Sequence, residues 1–120
     1  MKYFFAAFLF CSPALAWEMT FERESHLGVR AVDIAKEDKG QYYFAGRTLG
    51  KSLPPPVLKS WSEIAKGPAK TPNNGCPSGT YTFTKKNGKQ SVSTKGCMLG
   101  EAYGQYIGHL EKIRDYAKGL

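Results

Sequence analysis

Tyr81-Thr82-Phe83-Thr84-Lys85-Lys86-Asn87-Gly88-Lys89-Gln90-Ser91-Val92-Ser93-Thr94 alternates side chains on both flanks of an Asn-Gly pair. Period-two alternation is the signature of a half-buried strand, and Asn-Gly suits a two-residue type I′ turn. The stretch therefore predicts an antiparallel hairpin. With Asn87-Gly88 at the turn, Phe83 faces Val92 and Tyr81 faces Thr94, so Tyr81, Phe83 and Val92 mark the core face. The outer face carries Thr80, Thr82, Thr84 and Lys86 on one strand and Lys89, Ser91, Ser93 and Lys95 on the other. Lys85, Lys86 and Lys89 cluster at the tip.

Outward from the hairpin stand Cys76 and Cys97, placed to clamp its open end. Two cysteines in a small exported domain read as a disulfide. A metal site would need further ligands, and neither histidine is near in sequence.

Upstream, Trp17, Met19 and Phe21 alternate with Glu18, Thr20 and Glu22, which predicts a strand over residues 17–24. A turn at Ser25–Gly28 leads to a second strand at Val29–Ala35, with Val32 and Ile34 on one face. A polar turn follows, then a third strand over Gln41–Ala45. Pro54-Pro55-Pro56 opens a helix over residues 55–66, since proline is tolerated in a first helical turn. Val57, Leu58, Trp61, Ile64 and Ala65 recur there at helical spacing, and residues 67–79 form an irregular loop. The last helix, residues 98–117, shows an apolar stripe of Leu99, Tyr103, Tyr106, Ile107, Leu110, Ile113 and Ala117. Gly100, Gly104 and Gly108 along its edge predict close approach of another backbone, from the sheet or from a partner. The expected fold is α+β: a small antiparallel sheet of two N-terminal strands, a third strand and the C-terminal hairpin, with two helices on one face.

The first sixteen residues read as a cleaved signal peptide. Lys2 supplies the positive end, Tyr3–Phe10 an apolar run, and Ala14-Leu15-Ala16 a cleavage site. The run is shorter than the roughly 20 residues a membrane span needs. Cys11 follows the large Phe10, which does not suit lipidation. Residues 17–120 then form one domain, exported to the periplasm or beyond, and the short leader is of the bacterial kind.

The chain carries a net charge of +7, unevenly spread. Residues 17–38 hold six acids and three bases, whereas residues 39–98 hold ten bases against Glu63 alone. Such a surface suits an acidic protein or an anionic polymer. Nucleic-acid binding would call for exposed aromatic side chains among the bases, and only Tyr42 or Tyr43 is available. No metal motif, phosphate loop or nucleophile elbow is present. The sharpest enzymatic reading is a ribonuclease using His26 and His109 as base and acid, but nothing in the sequence brings the two together. No catalytic residue, cofactor or metal is expected.

Thr20-Phe21-Glu22-Arg23-Glu24-Ser25-His26-Leu27-Gly28-Val29-Arg30 is similar to the opening of emfourin-type inhibitors of thermolysin-like metallopeptidases. Those open with a strand, an arginine, a glycine-rich turn and a second strand, and continue through a helix, a hairpin and a closing amphipathic helix. Ser25-His26 stand here where a glycine pair is usual. The resemblance implies an α+β inhibitor-like scaffold. The sequence thus leads to a non-enzymatic protein that inhibits or neutralises a hydrolase or toxin, with Lys85, Lys86, Asn87 and Lys89 at the contact. A module for anionic envelope polymers is the alternative.

Overall fold

The computed structural model describes residues 16–69 and 74–120. The expected leader thus falls outside the described residues apart from Ala16, as do four residues of the 67–79 loop. The elements run β1 (Trp17–Ser25), β2 (Arg30–Asp38), β3 (Gln41–Phe44), β4 (Arg47–Gly50), α1 (Pro55–Lys66), β5 (Gly79–Asn87), β6 (Gln90–Cys97) and α2 (Glu101–Lys118). The strands form one six-stranded sheet in the order β4-β3-β2-β1-β5-β6. Every neighbouring pair is antiparallel. Both helices cover the same face, so the α+β reading stands.

That face is built from Met19 and Phe21 of β1, Ala35 of β2, Phe44 of β3, Leu49 of β4, and Tyr81 and Phe83 of β5. Against them pack Val57, Trp61 and Ile64 of α1 and Tyr106, Leu110 and Ile113 of α2. Aromatic rings dominate the contact. Phe21 lies 4.7 Å from Tyr106 and 5.3 Å from Tyr81, centroid to centroid. Tyr103 stacks on Tyr81 at 5.9 Å.

The end of α1 shows how the polar groups are satisfied. A helix leaves its last carbonyls without partners. The buried Tyr106 hydroxyl donates to the Ile64 carbonyl at 2.9 Å, and Lys85 Nζ donates to the Ala65 carbonyl at 3.0 Å. Gly67 closes the helix, and a Cβ there would lie 2.7 Å from the Phe83 ring.

One buried charge organises the sheet. Asp33 is 7 % exposed and lies on the helix side of β2. Arg23 of β1 and Arg114 of α2 each donate to a different carboxylate oxygen at 2.9 Å. With Asp33 turned inward, alternation turns Val32 and Ile34 outward, away from the helices.

Several details differ from the sequence reading. The third strand ends at Phe44, and Ala45-Gly46, with φ of 53° and 80°, turns into the unexpected β4. In the hairpin Asn87 pairs with Gln90, so Gly88-Lys89 form the turn. Gly88 has a φ of 61° while Lys89 stays outside the positive-φ region, the pattern of a II′ rather than a I′ turn. The register slides by two residues: Phe83 faces Thr94, and Tyr81 faces Gly96. A slide of two keeps every side chain on its face. Val92 consequently faces Lys85 near the tip and is 61 % exposed, so it does not join the core. The last helix starts at Glu101, leaving Leu99 before it, and Leu58 is likewise exposed. The expected close approach at the glycines does not occur among the described residues: a Cβ at Gly100, just before α2, or at Gly104 or Gly108 within it would meet nothing within 4 Å.

Two outcomes follow from these contacts. Asp33→Ala leaves two guanidinium groups facing each other without their anion. A fully buried pair loses about 3–5 kcal/mol when one partner goes. With Arg23 and Arg114 side chains 20 % and 35 % exposed, we expect about 2–4 kcal/mol in urea denaturation. Burial first, then the negative charge of Asp33 and the neighbouring Tyr81, pushes the Tyr106 phenol far above its ordinary value. A raised phenol contributes stability present below the unfolded pKa near 10 and lost as pH climbs beyond it. Alkaline titration of the unfolding free energy should fall above about pH 10, and Tyr106→Phe should remove roughly 1.4 kcal/mol per pH unit of that slope.

Candidate functional site

The sheet has two unlike faces, and the exposed features gather on the one the helices leave open. Strand register fixes its rows. Tyr43, Lys36, Glu18, Lys86 and Ser91 form one row. Ile34, Thr20, Thr84 and Ser93 form the next, then Val32, Glu22, Thr82 and Lys95. Arg30, Glu24 and Thr80 complete the face. In columns, β1 is acidic, β2 is basic at its ends and apolar between, and the hairpin strands carry hydroxyls and lysines.

Among the expected contact residues, the structure brings Lys86, Asn87 and Lys89 together at the exposed hairpin tip. Lys85 is elsewhere. Its ammonium reaches the end of α1 and lies 4.9 Å from the centroid of Trp17. It therefore braces the helix side and does not add to the charge at the tip. Thr84 and Ser93 hydroxyls stand 3.5 Å apart on the outer face.

Cys76 and Cys97 are joined in a disulfide, with Cα atoms 5.0 Å apart. Cys97 lies opposite Thr80, at the open end of the hairpin. The bond therefore holds the end away from the tip, where β5 begins. There Gly79, at φ +128°, sits so close to β1 that a Cβ would come 2.3 Å from the Glu24 carbonyl oxygen.

The histidines occupy different places. His26 is exposed in the β1–β2 turn, its backbone N–H donating to Ser78 O at 3.2 Å. His109 Nδ1 lies 2.9 Å from Ser60 Oγ, between the two helices. Ser60 is 1 % exposed, so its hydroxyl links helices and is closed to substrate. The groove that His109 lines, beside Glu63, Lys66 and Gln105, does not include His26. Among the described residues no three His, Cys, Asp or Glu side chains converge as a metal site, and no helix is long and apolar enough to cross a membrane.

Tyr42 packs edge-on against Trp61 on the helix side at 5.1 Å, while Tyr43 lies on the open face with Lys36 Nζ 5.0 Å from its centroid. Val32 and Ile34 lie beside Tyr43 in a shallow depression of about 470 Å³. They are 50 % and 41 % exposed. Sequence reasoning leaves either Tyr42 or Tyr43 as the exposed ring and sets Val32 and Ile34 on one face without marking that face as the open one. Their signal is an aspartate between two β-branched residues in a strand, near arginines able to hold it inside.

No protein-family model, curated protein or solved structure matches the chain.

The disulfide closes a segment of 21 residues in sequence separation. In the chain-entropy account such a loop is worth about 3 kcal/mol. Replacing Cys76 and Cys97 together with alanine should lower unfolding free energy by about that amount, measured by urea denaturation.

Proposed function

We propose that this chain is an exported, non-enzymatic binding protein that inhibits or neutralises another protein, such as a hydrolase or toxin, in the cell envelope. The observation that carries the reading is the hairpin tip: Lys86, Asn87 and Lys89 exposed together on two strands joined by a two-residue turn and clamped at the other end by Cys76–Cys97. A stiff loop loses little entropy on docking. Lysines at such a tip suit an acidic cleft on the partner. The leader-like first sixteen residues and the disulfide support export. The resemblance of Thr20–Arg30 to emfourin-type inhibitors points the same way.

A second reading is favoured by the outer face of the hairpin, where Thr80, Thr82 and Thr84 are followed across β6 by Ser91, Ser93 and Lys95. Hydroxyls with scattered lysines suit an anionic envelope polymer. The two readings separate experimentally. An inhibitor captures one stoichiometric partner from the envelope fraction of its host. A polymer module is retained on a polyanion column and released steeply by salt.

Lys86→Glu with Lys89→Glu should weaken capture of the protein partner about tenfold or more while leaving the unfolding free energy within about 0.5 kcal/mol of the parent. Unchanged capture by this folded variant would overturn the hairpin-tip assignment. Lys85 is left intact because it holds α1.

A further inference from the structure

Strand β1 begins at the hairpin tip. Trp17 pairs with Asn87 on one side and with Glu37 on the other. Its ring is held on the helix side, with its centroid 5.7 Å from that of Trp61 and 4.9 Å from Lys85 Nζ. The backbone nitrogen of Trp17 therefore has a fixed place beside the tip. Next to it lies a depression of about 240 Å³ lined by Ala16, Glu18, Lys36, Asp38, Lys86 and Gly88. Among the described residues none of its charged side chains is in an ion pair.

Two acids against two lysines leave the depression without net charge. A cut after Ala16 changes that balance. Hydrolysis of the Ala16–Trp17 amide puts a carboxylate on the departing Ala16 and an amine on Trp17, which holds a proton below about pH 8. It also removes Ala16 from the wall of the depression. We propose that leader removal completes a carboxylate-binding site at the tip, in which the α-ammonium of Trp17 acts with Lys36 and Lys86 on one acidic side chain of the partner. The inference rests on the reading of an exported protein that docks through its hairpin tip. It adds the group and the event that finish the site.

The chemistry suits the place. An ammonium carries several protons, so it can keep a strand hydrogen bond and still donate to an incoming oxygen. It stands on ordered backbone, without the flexible stem that a lysine must immobilise on binding. Around the nitrogen stand Glu18 from β1, Lys36 and Asp38 from β2 and Lys86 from β5, with Lys89 at the turn and Lys85 on the far side of the Trp17 ring. Glu37 is engaged on the helix side, where it accepts from the Trp61 indole. An α-ammonium loses its proton near pH 8, about two units below a lysine ammonium. Anion binding at this site should therefore weaken as pH climbs through that range, a step that lysines alone would not give.

The full chain, expressed in a bacterium and recovered from the periplasm, should begin at Trp17 by N-terminal sequencing; any other first residue would overturn the proposal. That protein is then titrated with hexaglutamate, read by the amide shifts of Lys36, Lys86 and Gly88 in two-dimensional NMR. Acetylating the Trp17 amine should weaken binding at about pH 7 by at least about threefold, and raising the free-amine chain to about pH 9 should do the same. The acetylated chain should show no such pH step. Lys112→Gln removes an exposed cation from α2 and should change affinity by less than about twofold. Hexaglutamate that does not bind, equal binding by the acetylated chain, a flat profile between those pH values or an equal loss in Lys112→Gln would each overturn the inference. Tighter binding of hexagalacturonate than of hexaglutamate would assign the site to a polymer and overturn it as well. Lys86→Glu with Lys89→Glu tests the underlying reading separately. Should that variant lose binding while acetylation has no effect, the tip stands and the α-ammonium alone is struck; should it bind unchanged, the tip reading itself falls and the inference with it.

Discussion

The carboxylate of Asp33 between Arg23 and Arg114 decides how this sheet is used. A strand that alternates Val32, Asp33 and Ile34 could turn either set of side chains inward. Hydropathy alone favours burying the two aliphatic residues. Burying the aspartate is acceptable only because two guanidinium groups reach it, one from the adjacent strand and one from the closing helix. Among the described residues Arg23 Nε is buried without a hydrogen-bond partner, a cost set against the two ion pairs. The outcome is a sheet whose second strand gives Asp33 and Ala35 to the core and leaves its two largest aliphatic side chains outside.

The helix side compensates with rings. Phe21, Phe83, Tyr81, Tyr103 and Tyr106 contact one another around β1 and β5. Trp17, Trp61 and Tyr42 form a second group toward α1. Both groups recruit polar tips for structure. The Trp61 indole N–H donates to Glu37 at 3.2 Å, and Tyr106 completes the end of α1. Lys85 is drawn into the same task, which is why only two of the three hairpin lysines remain at the tip.

Much of this was legible in the sequence. Alternation around Trp17–Phe21 placed β1, the proline triplet and Trp61 spacing placed α1 at its observed bounds, and the cysteine pair was correctly joined. What escaped has specific physical causes. The β3–β4 hairpin turns through Ala45 in a left-handed conformation that favours glycine or asparagine, so its turn carries no residue-type signal at that position. The slide of the β5–β6 register comes from Gly88 occupying the first turn position where Asn87 was expected there, a choice between two turn types that both accept Asn-Gly-Lys. The orientation of β2 depends on Arg114, eighty-one residues from Asp33, and no local pattern reports that contact. Of the candidate site, the tip was readable because charge clusters in sequence, whereas the open-face patch was hidden by the same long-range ion pairs.

These features bear on one another through the hairpin. Lys85 fastens β5 to the end of α1, and Cys76–Cys97 fastens the hairpin's open end, so Lys86, Asn87 and Lys89 project from strands anchored on both sides. A partner that meets the tip therefore meets a surface already ordered, and little entropy is left to lose on docking. Lys86 also belongs to the row that runs through Glu18, Lys36 and Tyr43, so the tip is continuous with the open face that the inward turn of Asp33 creates.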